Sequence, residues 1–556
     1  MRGYNVGIKH LVKQKVEGVY YIRQSVMTDG GYILPRAING NNIKNMTVID
    51  VESSTPEKHT AAEMVSTARR AFNTGKTKSY EFRTQQLRNV KRFLKEVGPE
   101  LCAALEADFR KPEQEIYILE IEVLIAEADH FISHLKDWMK PEKPEKPLLN
   151  IFDKIRIYSD PLGVVLVIGA WNYPVLLTIG PVLGAIAGGN CCIIKPSEVS
   201  LRTAQVMCNK LPHYLDQDCF PVFLGGIPET TDLLKQKFDY IFFTGSPQIG
   251  KIIHAAAAKN LTPCTLELGG KSPTYMDSSA NIEIATRRIL WGKFANCGQT
   301  CVAPDYLLCD KEVERKFLHY AEKIITEFFG ADVKQSKDFP RIINERNFIR
   351  VVNLLKNQKK AIGGQIDAQD LFIHPTILVD VKPDDDIMQE EIFGPILPII
   401  TVNNPEEAIE FINAREKPLA LYVFSNHTAT KELFLSNTSS GGVCINDTIM
   451  HVGVETLPFG GVGNSGMGNY HGKRSFDTFV HKKSVLFKSF FSLGEKAQET
   501  RYPPYSKNKT DFTRFAIRSL SRSIKMPFVT HVIMFSLGVG VTIMTFYTYK
   551  YYKQRE

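Results

Sequence analysis

The sequence predicts an α/β chain with two sheet-bearing domains and an apolar helix near its end, and three observations carry that prediction. Short apolar runs enter glycine turns and then helices, a second stretch repeats the rhythm, and one long apolar run stands close to the C-terminus. Strands buried on both faces read as continuous apolar runs, which is how a parallel sheet differs from a half-solvated antiparallel one.

Residues 1–55 show no sustained period and contain Asn-Gly and Gly-Gly punctuation, so they read as an irregular extension. Their basic residues (Arg2, Lys9, Lys13, Lys15, Arg23) accompany no continuous apolar run of signal-peptide type, and they resemble a transit peptide only weakly. From Ala61 to about Trp138 helical spacing takes over, with Val65, Ala68, Ala71 and Phe72 recurring on one face. The runs Gly163-VVLVIGA-Trp171, Cys191-CIIK-Pro196 and Tyr240-IFFT-Gly245 then read as buried strands, with a small-residue helix around Gly180–Gly188. Strands alternating with helices predict a doubly wound, Rossmann-like dinucleotide domain over residues 56–265.

A second α/β domain is expected over residues 266–446, with a strand at Leu421–Phe424 and a helix at Glu312–Phe329. The cleft between two such domains is a usual ligand site. Residues 447–490 return to the first domain, and residues 491–527 form a basic linker ending in an amphipathic helix, Asp511–Lys525. There Phe512, Phe515, Ala516, Leu520 and Ile524 make one stripe, and Arg514, Arg518, Arg522 and Lys525 another. The run Phe528–Tyr549 contains His531 as its sole potentially charged residue. At about 1.5 Å per residue it spans roughly 33 Å, enough for a bilayer core of about 30 Å. It reads as a transmembrane tail anchor facing the cytosol. Basic side chains beside it suit anionic lipid head groups.

Composition narrows the function classes. With 44% hydrophobic and 23% charged residues in 556, the chain is globular. Its formal charge of +8 comes from 68 basic against 60 acidic residues, and no basic tract is interleaved with aromatics, so nucleic acid is not an expected partner. The ten cysteines are irregularly spaced, and without a secretory signal they are read as reduced thiols.

One of them carries chemistry. Phe294-ANCGQT-Cys301 places a cysteine after a Gly-Gln-Thr turn, and Leu266-ELGG-Lys271 offers a carboxylate upstream. A thiol nucleophile needs a turn that exposes it, and a carboxylate across a loop can activate water. Cys297 makes a Cys-x-x-x-Cys pair with Cys301, but no second pair has metal-ligand spacing, so it reads as small filler and no metal is expected. Gly245-SPQI-Gly250-Lys251 fits a phosphate-binding P-loop until Ile252, where a Ser or Thr should hold magnesium.

These motifs together resemble the aldehyde dehydrogenase superfamily, of class 3 type, from roughly Ala61 to Phe487. With the terminal run, the resemblance narrows to the membrane-bound fatty aldehyde dehydrogenases, including the fungal hexadecenal type. It implies that Cys301 is the nucleophile, that Glu267 activates the hydrolytic water, and that Asn172 in Ala170-WNY-Pro174 donates to the oxyanion beside the Cys301 N–H. It further implies that Lys195 and Glu198 in Ile194-KPS-Glu198 bind the adenosine ribose. A carboxylate there favours NAD, although some relatives accept NADP as well. Gly245, Ser246 and Gly250 form the pyrophosphate turn, Glu391 binds the nicotinamide ribose, and Phe393 lines the nicotinamide site. The neighbouring Glu390 reads as a surface acid. In relatives, segments matching Lys154-IRIY-Ser159 and His481-KKSVL-Phe487 build a bridging arm, which implies a homodimer.

The implied activity is NAD(P)-dependent oxidation of long-chain aldehydes such as hexadecenal, from sphingolipid breakdown, with an aromatic aldehyde as a second candidate substrate. The expected membrane is the mitochondrial outer membrane, the endoplasmic reticulum or a lipid droplet; a short basic tail such as Lys550, Lys553 and Arg555 suits the first in tail-anchored relatives. Two other functions compete. A CoA-acylating semialdehyde dehydrogenase would share the nucleophile but need no water-activating base, and a non-catalytic membrane scaffold would need none of these residues.

Overall fold

The computed structural model describes residues 13–16, 19–22, 60–150, 153–488, 490, 495, 498–521, 535–536, 538–539 and 541–545. The chain divides into two units, residues 1–58 and 59–556. In the first, Lys13–Val16 and Val19–Ile22 pair antiparallel, a hairpin in a stretch expected to be irregular.

The second unit opens with a helical layer. Thr60 begins Ala61–Asn73 with a reciprocal capping box to Glu63, and Ser79 caps the 30-residue helix Tyr80–Phe109. That helix buries Leu87, Val90, Leu94 and Leu101 along one face and ends where Arg110 turns left-handed at φ 53°. The chain then runs through Glu113–Ile116 and a π-helical turn, Tyr117–Ile121, into Glu122–Trp138. Helical spacing gave no sign of the π turn, because its one extra residue shifts a helix face without ending it.

The three expected strands appear as Val164–Ile168, Cys191–Lys195 and Tyr240–Thr244, all fully or nearly buried. They belong to one five-stranded sheet whose spatial order is Gly466–Met467, Cys264–Glu267, Tyr240–Thr244, Val164–Ile168, Cys191–Lys195. All pair parallel except the first, which lies antiparallel with Gly466 opposite Glu267. The boundary expected at 265/266 therefore moves: the strand carrying Glu267 is part of the first sheet. The helix Leu176–Gly188 packs on it with nearly every residue buried.

The second sheet has seven strands, in the order Lys359–Ile362, Thr376–Val379, Ile396–Thr401, Tyr306–Cys309, Pro273–Met276, Ala420–Phe424, Gly442–Ile445. Its first pair is antiparallel and the rest parallel. The helix Lys311–Phe329 covers it, capped by Asp310. A separate two-stranded ribbon joins Lys154–Pro161 to Val480–Phe487 over eight pairs, from Lys154 opposite Phe487 to Pro161 opposite Val480.

Near the end, Lys507–Leu520 is a helix with Phe512, Phe515 and Ile517 exposed. Positions 522–525 of the expected amphipathic helix, and most of the apolar run 528–549, lie outside the described residues. Among the described residues, no helix is long and apolar enough to cross a membrane.

Candidate active site

The carboxyl ends of the parallel strands form one row. Lys195 lies opposite Ile168, Ile168 opposite Phe243, and Thr244 opposite Glu267. Loops leave each strand there: the one after Ile168 carries Asn172, the one after Lys195 carries Glu198, and the one after Thr244 carries Gly245 and Ser246. Ligands of open α/β sheets bind at this edge.

Cys301, the expected nucleophile, follows the end of another helix. Helix Ile282–Phe294 ends in a tight turn where Asn296, Cys297 and Gly298 are all left-handed, at φ 52°, 56° and 74°. Such a conformation costs about 1–3 kcal/mol per non-glycine residue and persists only when its surroundings hold it. Gln299 does so from a fully buried position: its Nε2 donates to Asn296 O and Arg341 O, both at 3.0 Å, and its Oε1 accepts from Ile343 N at 3.0 Å. A Cβ on Gly298 would overlap the Gly394 carbonyl. Cys297 is fully buried within this turn, while Cys301, just past it, is partly exposed.

Glu267 is buried, and neither of its carboxyl oxygens has a hydrogen-bond partner in the protein. Its main chain is held from both sides, by Gly245 N to its carbonyl at 3.0 Å and by Leu268 N to Ser465 O at 3.0 Å. Burial pushes the carboxyl well above its ordinary range. Burial, and then the Glu391 and Glu267 carboxyls, also raise the Cys301 thiol, against main-chain N–H bonds from Cys301 and Val302 that favour the thiolate. Asn172 is buried and donates one N–H to Gln299 O at 3.0 Å, which leaves its second N–H for a ligand.

Lys195 Nζ sits 2.9 Å from Glu198 Oε2, with Lys195 buried and Glu198 partly exposed. A Cβ on Gly245 would run into the Phe243 ring, and one on Gly250 into Leu268. Ser246 caps the helix Pro247–Ala258 through Ile249 N at 3.4 Å, which leaves the positive helix end beside the strand edge. Glu391 reaches Gly270 N–H while its Oε1 stays buried and unpartnered, and burial followed by Asp305 raises it to about 8. Phe393, left-handed at φ 49°, meets Trp171 edge-on at 5.3 Å. Glu390 is exposed and pairs with Arg350 at 3.2 Å.

Two supports escaped sequence reasoning. Lys271 pairs with Asp305 at 2.7 Å and donates to Ile387 O and Glu390 O, at 2.8 and 2.9 Å, which moors the segment carrying Glu391. Lys111 and Glu120 hold the Asn172 loop from beneath, at separations of 61 and 55 residues from their main-chain partners. No local pattern encodes a partner that distant. In Leu-Glu-Leu-Gly-Gly-Lys, the lysine was at least part of the quoted motif.

The profile of the aldehyde dehydrogenase family matches residues 39–485. The chain is 53% identical to the dimeric, NADP-preferring aldehyde dehydrogenase of Rattus norvegicus, over 80% of this chain and 97% of that protein. It is 51% identical to aldehyde dehydrogenase family 3 member A2 of Pongo abelii, over 80% of this chain and 92% of that one. Among solved structures, the substrate-bound AldH of Staphylococcus aureus superposes with a TM-score of 0.79 at 42% identity, covering 82% of this chain and 99% of that one.

Proposed function

The chain belongs to the aldehyde dehydrogenase family and is an NAD(P)-dependent enzyme, and from that premise we propose that it oxidises long-chain aldehydes to carboxylic acids through a thioester on Cys301. The observation that carries this reading is the buried, partnerless Glu267 carboxyl beside the Cys301 thiol. A base takes the thiol proton, and the sulfur attacks the aldehyde carbon. The second N–H of Asn172 and the Cys301 N–H meet the oxygen as it gains charge. A nicotinamide held beside Glu391 and Phe393 would supply the hydride acceptor for the oxidation, and Cys301 would keep the acyl group as a thioester. Glu267 then takes a proton from water, which attacks the acyl carbon and releases the acid and the thiolate.

The chain-length preference rests on the sequence beyond the catalytic unit. In this reading residues 528–549 anchor the enzyme from the cytosolic side of a membrane: the mitochondrial outer membrane, endoplasmic reticulum or a lipid droplet surface. A long-chain aldehyde such as hexadecenal concentrates there, at about 0.8 kcal/mol per buried CH₂. Phe512, Phe515 and Ile517, exposed beside Arg514 and Arg518, suit contact with anionic lipid. The ribbon of Lys154–Pro161 and Val480–Phe487 serves as the arm of a homodimer.

With hexadecenal and NAD, the wild type should form NADH and hexadecenoic acid, and Cys301→Ala should form neither. Glu267→Gln should give one turnover of NADH and then retain an acyl group on the protein, visible as a mass increase. Release of acyl-CoA in place of acid, or steady turnover in Cys301→Ala, would defeat the thioester reading.

A further inference from the structure

Lys111 and Glu120 form an ion pair at 2.7 Å in which both side chains are entirely shielded from solvent. Such pairs are costly to desolvate, and an apolar pair of similar volume often serves stability as well or better. Their remaining bonds lead to the catalytic loop. Lys111 Nζ donates to the Asn172 carbonyl at 3.1 Å and lies 4.4 Å from the centre of the Tyr173 ring. Glu120 Oε2 accepts from Val175 N at 2.9 Å and Leu176 N at 3.4 Å, the main chain that opens helix Leu176–Gly188. Glu120 sits in the π turn Tyr117–Ile121, whose extra residue sets which way it faces.

The same carbonyl is tied to the nucleophile turn. Asn296 Nδ2 donates to Asn172 O at 2.8 Å and to Gln299 O at 3.1 Å, and Asn172 Nδ2 donates to that same Gln299 O. Asn296 N in turn donates to Glu115 at 2.8 Å, from the segment between Lys111 and Glu120. Both ends of the Asn172–Leu176 loop are therefore clamped to one short stretch of chain, 111–120, and so is the turn that presents Cys301.

We propose that Lys111 and Glu120 are positioning residues that hold the Asn172 amide at the oxyanion site through its own main chain. The inference rests on Asn172 donating to the oxyanion, as in the reading above. The test is a double-mutant cycle on the first-turnover burst of NADH at saturating NAD and aldehyde. Lys111→Met should slow the burst by about 100-fold, the scale of an ångström-sized misplacement, with little change in KM. In an Asn172→Ala background the same substitution should cost less than about 3-fold, because the amide it positions is gone.

Lys111→Met leaves Glu120 buried and unpaired, so Lys111→Met/Glu120→Gln is measured beside it. The neutral pair should melt near the wild type and still burst slowly. A burst that recovers together with the melting temperature overturns the proposal, as does an equal loss in both backgrounds. A wild type without aldehyde-dependent NADH formation overturns the thioester reading and this one together; an active wild type with an additive cycle overturns this one alone.

Discussion

Glu127 illustrates how a single side chain reports on its surroundings. It is buried on helix Glu122–Trp138, its Oε1 lacks a partner, and it accepts from Gly472 N–H. Burial, and then Glu455, raise it from 4.5 to about 8; Glu455 is itself paired with His130 at 3.0 Å. Below pH 4.5 the carboxyl is protonated in both folded and unfolded chains. Between 4.5 and 8 the unfolded chain loses the proton while the folded one keeps it, so the wild type loses stability as pH rises through that window. Glu127→Gln keeps the acceptor and cannot ionise. Its melting temperature should therefore gain on the wild type by about 2 °C or more between pH 5 and pH 8, measured by thermal unfolding in matched buffers; a gap that does not change with pH would refute the assignment. Nothing in the sequence marked Glu127, since one acid in an amphipathic helix is ordinarily solvated. Cys301, Glu267 and Asn172 stood out as candidates because each lies inside a motif whose neighbours are as distinctive as itself.

Elements were legible in proportion to their periodicity. The helix Lys311–Phe329 and the strands Val164–Ile168 and Tyr240–Thr244 emerged where expected, because burial on one face or both leaves a period in the residues. Gly466–Met467 is too short to have one, and the π turn at Tyr117–Ile121 hides within a helical pattern. The ribbon of Lys154–Pro161 and Val480–Phe487 was foreshadowed only by the resemblance to relatives, and its physics asks for a cover. Two strands alone are marginal in water, yet Leu486 and Phe487 are 52% and 41% exposed. A second copy of the chain is the proposed cover. Replacing both residues with aspartate should convert a dimer to a monomer in light scattering; an unchanged dimer would locate the interface elsewhere.

At the scale of the whole molecule, the proposal divides labour between a catalytic unit and a basic, apolar tail. Deleting residues 511–556 should then lower kcat/KM for hexadecenal at least about 10-fold in the presence of anionic vesicles and leave that for a short aldehyde nearly unchanged. Equal losses for both chain lengths would refute a lipid-directed role. Within the catalytic unit, the strand Gly466–Met467 crosses back beside Glu267 from 199 residues later in the chain. That pairing has a temporal consequence. A polypeptide emerging from the ribosome presents four strands of this sheet long before its Gly466–Met467 edge exists. Cys301 is synthesised well before Gly466, so the strand that flanks Glu267 joins the sheet only after the Cys301 turn already exists. Contacts this distant also slow folding, so the sheet that carries Glu267 is completed late, once Gly466–Met467 has been made.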